Sequence, residues 1–317
     1  MRFLKSTMIL EFKDYNLVPK KMELVVSDNT NEALWRKFYI SKKVENLSPR
    51  TLEIYKQTLE SFSKVIRKSF LQITADDIRI YLASLMHKNP NVSENYLDNV
   101  RRYLSTFFKF LSEEGFIKIN PSAKIKKIRG NTSIKEPFTD LEIEKIRNAC
   151  KNPAEKLIIE LLLSTAMRKA ELCGIKISDV NLDKNEIKII GKGNKLRYTY
   201  LNAKSIFALK EYFDFRKEHG YTSEHLLVRH SAREGLSGLP HDLESLYSLI
   251  YRIGRRAGVP HTHPHRFRRT VATNWVRKGM AIEKVSELMG HNSLETTMIY
   301  VKINRDEVRS EHHRLTD

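Results

Sequence analysis

Cysteine is nearly absent from this sequence. Two occur in 317 residues, Cys150 and Cys173, and they form no C-x-x-C pair. That excludes a disulfide scaffold and a cysteine zinc site, and it fits a reducing cytosol. Long apolar runs are missing too. The strongest, LIIELLL at 157–163, is broken by Glu160 and falls far short of the roughly 20 residues a membrane span needs. The opening MRFLKSTMILEFKDYNLV carries Lys5, Glu11, Lys13 and Asp14, which leaves no apolar core for a secretory signal. No internal repeat or low-complexity tract occurs. These absences point to a soluble cytoplasmic protein.

Acidic residues are also in short supply, 38 against 56 lysines and arginines, for a formal charge of +18. The resulting pI is near 9.7. A globular chain this basic usually has a polyanion for a partner, most often nucleic acid. What is present besides charge is enough apolar material, 41% of residues, to bury cores of ordinary size. The length allows two domains.

Residues 1–30 read as a short leader with some alternation (MELVV). From residue 31 the periodicity is helical. LSPRTLEIYKQTLESF opens with Ser48 as N-cap and Pro49 at the first helical position, then places Leu52, Tyr55, Leu59 and Phe62 on one face. Thr74 and Asp77 form a capping pair ahead of Ile78, Tyr81, Leu82 and Leu85. ENYLDNVRRYLSTFFKFLSEEG sends Val100, Tyr103, Leu104, Phe107, Phe108 and Leu111 inward and stops at Gly115. Residues 31–123 are therefore expected to form a helical domain with a basic exterior. Residues 124–138, with Lys124, Lys126, Lys127, Arg129 and Lys135, read as an exposed basic linker, which puts a boundary near residue 130. Thr139 and Glu142 then open a second, mostly helical domain over 139–302. Its exception is NEIKIIGKGNKLRYTYL, two β-prone runs around a glycine turn that presents Lys192. Residues 303–317 form a C-terminal tail.

Four polar islands in the second domain have no explanation in their local pattern. They hold Arg168 and Glu171 (LLLSTAMRKAELCGI), Lys192, His265 with Arg268 and Arg269 (HTHPHRFRRTVATNW), and His291 with Tyr300 (LMGHNSLETTMIYVKI). Each alone has a plain reading. Arg168 could pair with Glu171 structurally, GKG falls short of a full phosphate loop, and Tyr300 alone reads as core. The alternating His261, His263 and His265 fit neither common zinc spacing, so no metal is expected.

Together the islands resemble the tyrosine recombinase, or phage integrase, family. TAMRKAEL matches its arginine box, GKGNK its hairpin lysine, HRFR its H-x-x-R box, and MGHNSLETTMIY the box that ends in its nucleophile. The resemblance covers 139–300 and extends to the upstream helices. It implies a mainly α fold with a small β-hairpin or sheet, an N-terminal SAM-like core-DNA-binding domain, and an α+β catalytic domain, the two closing a C-shaped clamp on DNA. It implies catalytic roles for Arg168, Lys192, His265, Arg268, His291 and Tyr300, with Tyr300 the nucleophile and Glu171 supporting Arg168 and His265 from behind. It also implies no cofactor, a double-stranded DNA substrate, a monomer when free that becomes a homo-tetramer on DNA, an accessory excision factor, no membrane, and a place in the nucleoid. The tail would dock on a neighbouring protomer. Residues 1–30 are too few for an arm-binding domain, which favours a simpler Xer-like or mobile-element recombinase. Two departures stand out: Ala166 replaces the usual glycine before Met167–Arg168, tightening that turn, and Arg269 stands where a second histidine is common, an extra phosphate contact. A type IB topoisomerase shares related residues, but the helical domain and the tail argue against it. A DNA-binding protein that no longer cuts would have lost Arg168, Arg268 or Tyr300, and all three are present.

Overall fold

The computed structural model describes residues 29–130, 136–191, 196–231, 235–291 and 293–298. The leader through residue 28, the tail, Lys192 and Tyr300 lie outside the described residues. The chain divides into two compact units, Met1–Ser133 and Ile134–Asp317. No described helix is long and apolar enough to cross a membrane.

The first unit is built on α1 (Asn31–Val44), α2 (Pro49–Ile66), α3 (Ala75–Lys88) and α4 (Glu94–Glu113). Each begins on a hydroxyl cap: Thr30, Ser48, Thr74 and Ser93 accept from the backbone N–H groups of Ala33, Thr51, Asp77 and Tyr96. Such caps contribute on the order of 1 kcal/mol each by satisfying N–H groups the helix cannot. The Thr74–Asp77 box is reciprocal, as the sequence suggests. Helix α4 ends where Gly115 takes φ +76, a left-handed turn that favours glycine. The apolar stripes meet in an aromatic core. Phe107 is fully buried, with ring centroids 5.3 Å from Phe38, 4.9 Å from Phe70 and 5.4 Å from Phe108, all edge-on. That is the geometry ring quadrupoles prefer. In the basic stretch, Lys124, Lys126, Lys127 and Arg129 are exposed, but the isoleucines between them are not. Ile125 and Ile128 pack against this core, and the Ile128 N–H donates to Asp98 Oδ1 at 3.0 Å.

The second unit holds α5 (Asp140–Asn148), α6 (Pro153–Thr165), α7 (Lys169–Gly174), β1 (Val180–Asn181), β2 (Glu186–Ile190), β3 (Leu196–Tyr200), α8 (Ala203–Glu218), α9 (Leu243–Arg256), α10 (Pro264–Arg277), α11 (Ile282–Met289) and α12 (Leu294–Met298). Helix α6 is apolar on nearly all sides and sits among α8, α9 and α10, which is why the LIIELLL run belongs to a globular core. Glu160, the break in that run, is 4% exposed and paired with Arg147, its two oxygens accepting at 2.7 and 3.0 Å. The strands form one antiparallel sheet in the order β1-β2-β3, with Ile189 opposite Arg197 and Ile190 opposite Leu196. The expected hairpin is thus β2–β3, and β1 is an added edge.

Candidate active site

Three chain reversals bring the site together. The first follows α6. Ala166 closes that helix at φ +52, a left-handed conformation that costs an alanine about 1 kcal/mol and a glycine little. Here the departure from glycine has a physical consequence, since the methyl is fully buried in a backbone shape that side chains adopt at a cost. Two residues on, Arg168 leads into α7, and Glu171 reaches back to its N–H at 2.7 Å. The second reversal precedes α10, where the His263 ring accepts from the Arg266 N–H and Pro264 takes the first helical position. His265 and Arg268 then lie three residues apart on one helical face. The third is Gly290, left-handed at φ +62, which ends α11 and turns the chain into His291.

The side chains from these turns interlock. Arg268, only 4% exposed, donates Nη1 to the Ala166 carbonyl at 2.6 Å and Nη2 to the Met289 carbonyl, joining the first turn to the third. Its Nη2 also lies 3.0 Å from His291 Nε2. A guanidinium can only donate, so Nε2 accepts, and the ring proton belongs on Nδ1, which faces Thr297 Oγ1 at 2.8 Å. Arg168 donates Nη2 to the Gly290 carbonyl at 2.8 Å and Nη1 to Glu171 Oε1 at 3.0 Å. The structure therefore brings Arg168, Glu171, Arg268 and His291 into one hydrogen-bonded set, with His265 exposed beside it.

Electrostatics follow from this crowding of cations. Loss of water and then the charges of Arg268, Arg168 and Arg197 push His291 down to about 4. His265 is lowered by partial desolvation, then by Arg268, Lys169, Arg269 and Arg168. Both rings are therefore neutral at neutral pH, and His265 can accept a proton there. Burial alone would raise Glu171, but the hydrogen bonds of Arg197 and Arg168 outweigh it and hold the carboxyl below its ordinary range. The arrangement is a prebuilt cationic cradle for an anion.

Sequence reasoning missed Arg197. Its guanidinium grips both Glu171 oxygens, at 2.8 and 2.9 Å. The signal was present, because alternation in LRYTY places Arg197 on the same strand face as the buried Thr199. Also unforeseen was the destination of the Glu171 bonds. Among the described residues they go to Arg168 and Arg197, and none goes to His265.

Comparison with known proteins identifies the family and the fold. Residues 136–307 match the phage integrase family, and residues 34–115 match the phage integrase N-terminal SAM-like domain. The tyrosine recombinase XerA of Pyrococcus horikoshii is 30% identical over 293 residues, covering 92% of this chain and 94% of its own. A tyrosine recombinase XerC of Leptospira interrogans is 28% identical over 301 residues, covering 91% and 94%. Among solved structures, the Tn1549 transposon integrase in complex with a circular intermediate DNA aligns with a TM-score of 0.71 at 19% identity, over 91% of this chain and 100% of that one. The XerH site-specific recombinase bound to a palindromic difH substrate aligns at 0.69 and 21% identity, over 87% and 83%. With the fold shared at that level and the family match spanning more than half of its length, this chain belongs to the phage integrase family, the tyrosine recombinases.

Proposed function

We propose that this protein cuts and rejoins duplex DNA at specific sites through a 3′-phosphotyrosine on Tyr300, with neither metal nor ATP. The observation that carries the reading is the joint anchoring of Arg168 and Arg268 by the carbonyls of Gly290, Ala166 and Met289. Charge held in place before the reaction costs no reorganisation when negative charge builds on the phosphate, and each such donor contributes on the order of 3 kcal/mol. In the step proposed, the Tyr300 oxygen attacks phosphorus and its proton passes to His265, whose ring, lowered by partial desolvation and the nearby cations, is neutral before the step. The bond to the 5′-oxygen breaks, and Lys192, which follows β2 in the sequence, protonates that oxygen as it leaves. His291, accepting from Arg268, holds that guanidinium at the phosphate. A 5′-hydroxyl from another strand reverses the attack, so the bond energy is kept and strands can be exchanged. Four copies acting pairwise on two sites, with the tail after Tyr300 bridging protomers and an excision factor setting direction, complete the proposal for nucleoid DNA in the cytoplasm.

The test is covalent trapping. Duplexes with a randomised centre are selected for binding to the protein, and a nick is placed beside the presumed scissile phosphate so that the short product diffuses away. Wild type should accumulate a protease-sensitive protein–DNA adduct, and Tyr300→Phe should form none. An adduct in Tyr300→Phe, or none in wild type on DNA it binds tightly, would sink the reading.

A further inference from the structure

Arg197 takes no part in the chemistry proposed above, yet its side chain is only 9% exposed. It stands second in β3 and makes three bonds: Nη1 and Nη2 to the two Glu171 oxygens, and Nε to the Leu288 carbonyl at 3.2 Å. It also packs against Gly290, where a Cβ would come within 3.3 Å of Arg197 Cδ, Nε and Cζ. Glu171 in turn holds the backbone and the guanidinium of Arg168, and Arg168 holds Gly290. The contacts form a closed ring through β3, α7 and the turn between α11 and α12.

The charges in this ring have to be shared. Glu171 is a buried carboxylate between two guanidinium groups. Arginine and carboxylate favour a two-pronged pairing, and Glu171 makes it with Arg197, leaving a single contact to the Arg168 side chain. With Arg197 absent, the same two oxygens would turn to Arg168, cancel its charge and occupy the donors that face the phosphate. We propose that Arg197 is a positioning residue for strand cleavage: it absorbs the charge of Glu171 so that Arg168 keeps its own, and through Leu288 it fixes the turn that carries His291. The proposal rests on the cleavage reaction described above.

Its test is the single-turnover rate of adduct formation on the selected nicked duplex, with protein in excess. Arg197→Met should slow cleavage about 10- to 100-fold, with DNA affinity within about twofold of wild type. The deciding measurement is the double variant. Adding Glu171→Gln removes the charge that would capture Arg168, so Arg197→Met with Glu171→Gln should recover about tenfold or more of the lost rate. A purely structural role gives a double variant as slow as the single one or slower, and that result overturns the proposal, as does an unchanged rate in Arg197→Met. If Arg197→Met does not fold, Arg197→Lys takes its place, since lysine keeps the charge but not the two-pronged grip. It should be slower than wild type and recover with Glu171→Gln, and wild-type speed or no recovery overturns the proposal. A wild type that forms no adduct fails the reaction itself, a separate result with which this proposal falls.

Discussion

Phe107 in the first unit and Arg268 in the second are both almost wholly buried, but their surroundings differ in kind. Phe107 is flanked by the rings of Phe38, Phe70 and Phe108. Arg268 donates to the carbonyls of Ala166 and Met289 and lies against His291. One unit is ordered at its centre by apolar burial, which is nearly indifferent to pH. The other has an apolar core too, with Phe138, Tyr212, Phe215 and Phe267 among its aliphatic residues, but its site is ordered by buried charges whose partners are fixed acceptors. A core that only has to hold a shape can use rings. A site proposed to present charge to a phosphate needs guanidinium groups indoors, and these are stable there only with acceptors on every side.

The chain carries its own reporters for this contrast, since its two tryptophans, Trp35 and Trp275, fall one in each unit. Single-tryptophan variants (Trp275→Phe, Trp35→Phe) therefore follow each unit separately in urea. The largest effect should come from Phe107→Ala, which removes a ring touching three others and should cost the first unit about 3–5 kcal/mol. The Trp35 transition should move and the Trp275 transition should not; equal movement of both would break the comparison.

A smaller effect should come from pH. Burial first, and then nearby cations, push His291 and His241 down to about 4, and both belong to the second unit. In the unfolded chain a histidine titrates near 6.5. Above that value both states are neutral and the groups contribute nothing. As pH falls from about 6.5 towards 4, the unfolded chain takes up protons that the fold refuses, so stability is lost. The first unit contains one histidine, the exposed His87. Its lowered acids behave differently. Burial would raise Asp77, but Lys68 and Thr74 outweigh it, and Asp98 is lowered chiefly by Arg101. Their stabilisation is present above about pH 3.9 and is lost only below it. Taking the pH from about 7 to about 5 should thus lower the urea midpoint seen by Trp275 and leave that seen by Trp35 in place. A matched fall in both midpoints would refute the assignment of these histidines.

The smallest effect should be that of Ala166→Gly. It relieves a left-handed alanine but frees the unfolded chain and removes a buried methyl, so the terms nearly cancel and the change should stay within about 1 kcal/mol. A loss well beyond that would mean the methyl itself helps hold the turn that leads into Arg168 and whose carbonyl accepts from Arg268.

The same contrast explains what could be read from letters alone. In the first unit, caps and stripes are written directly in residue types: Ser48, Thr74 and the Leu104–Phe107–Phe108–Leu111 face all stand where periodicity put them. In the second, Arg168, Glu171, His265, Arg268 and His291 could be picked out as candidates because the proposed chemistry demands specific side chains, and the structure links four of them. Their partners were not. The acceptors that hold the two arginines include the carbonyls of residues 166, 289 and 290, and every residue has a carbonyl, so no letter marks the ones that matter. Arg197 was passed over for a related reason, because its meaning depends on a carboxylate 26 positions away in sequence. Ile125 and Ile128 were hidden by the exposed basic residues around them, so the reading of an exposed basic linker did not show that these two side chains pack.

Arg268 also constrains how this protein can change over generations. The group proposed to meet the phosphate is the group that ties the turn after α6 to the end of α11. A lysine there would still be positive, but it offers donors from one point and could not span two carbonyls and a ligand at once. Selection for folding and selection for reaction therefore act on one side chain, and a lineage that abandons the chemistry is not free to let this position drift.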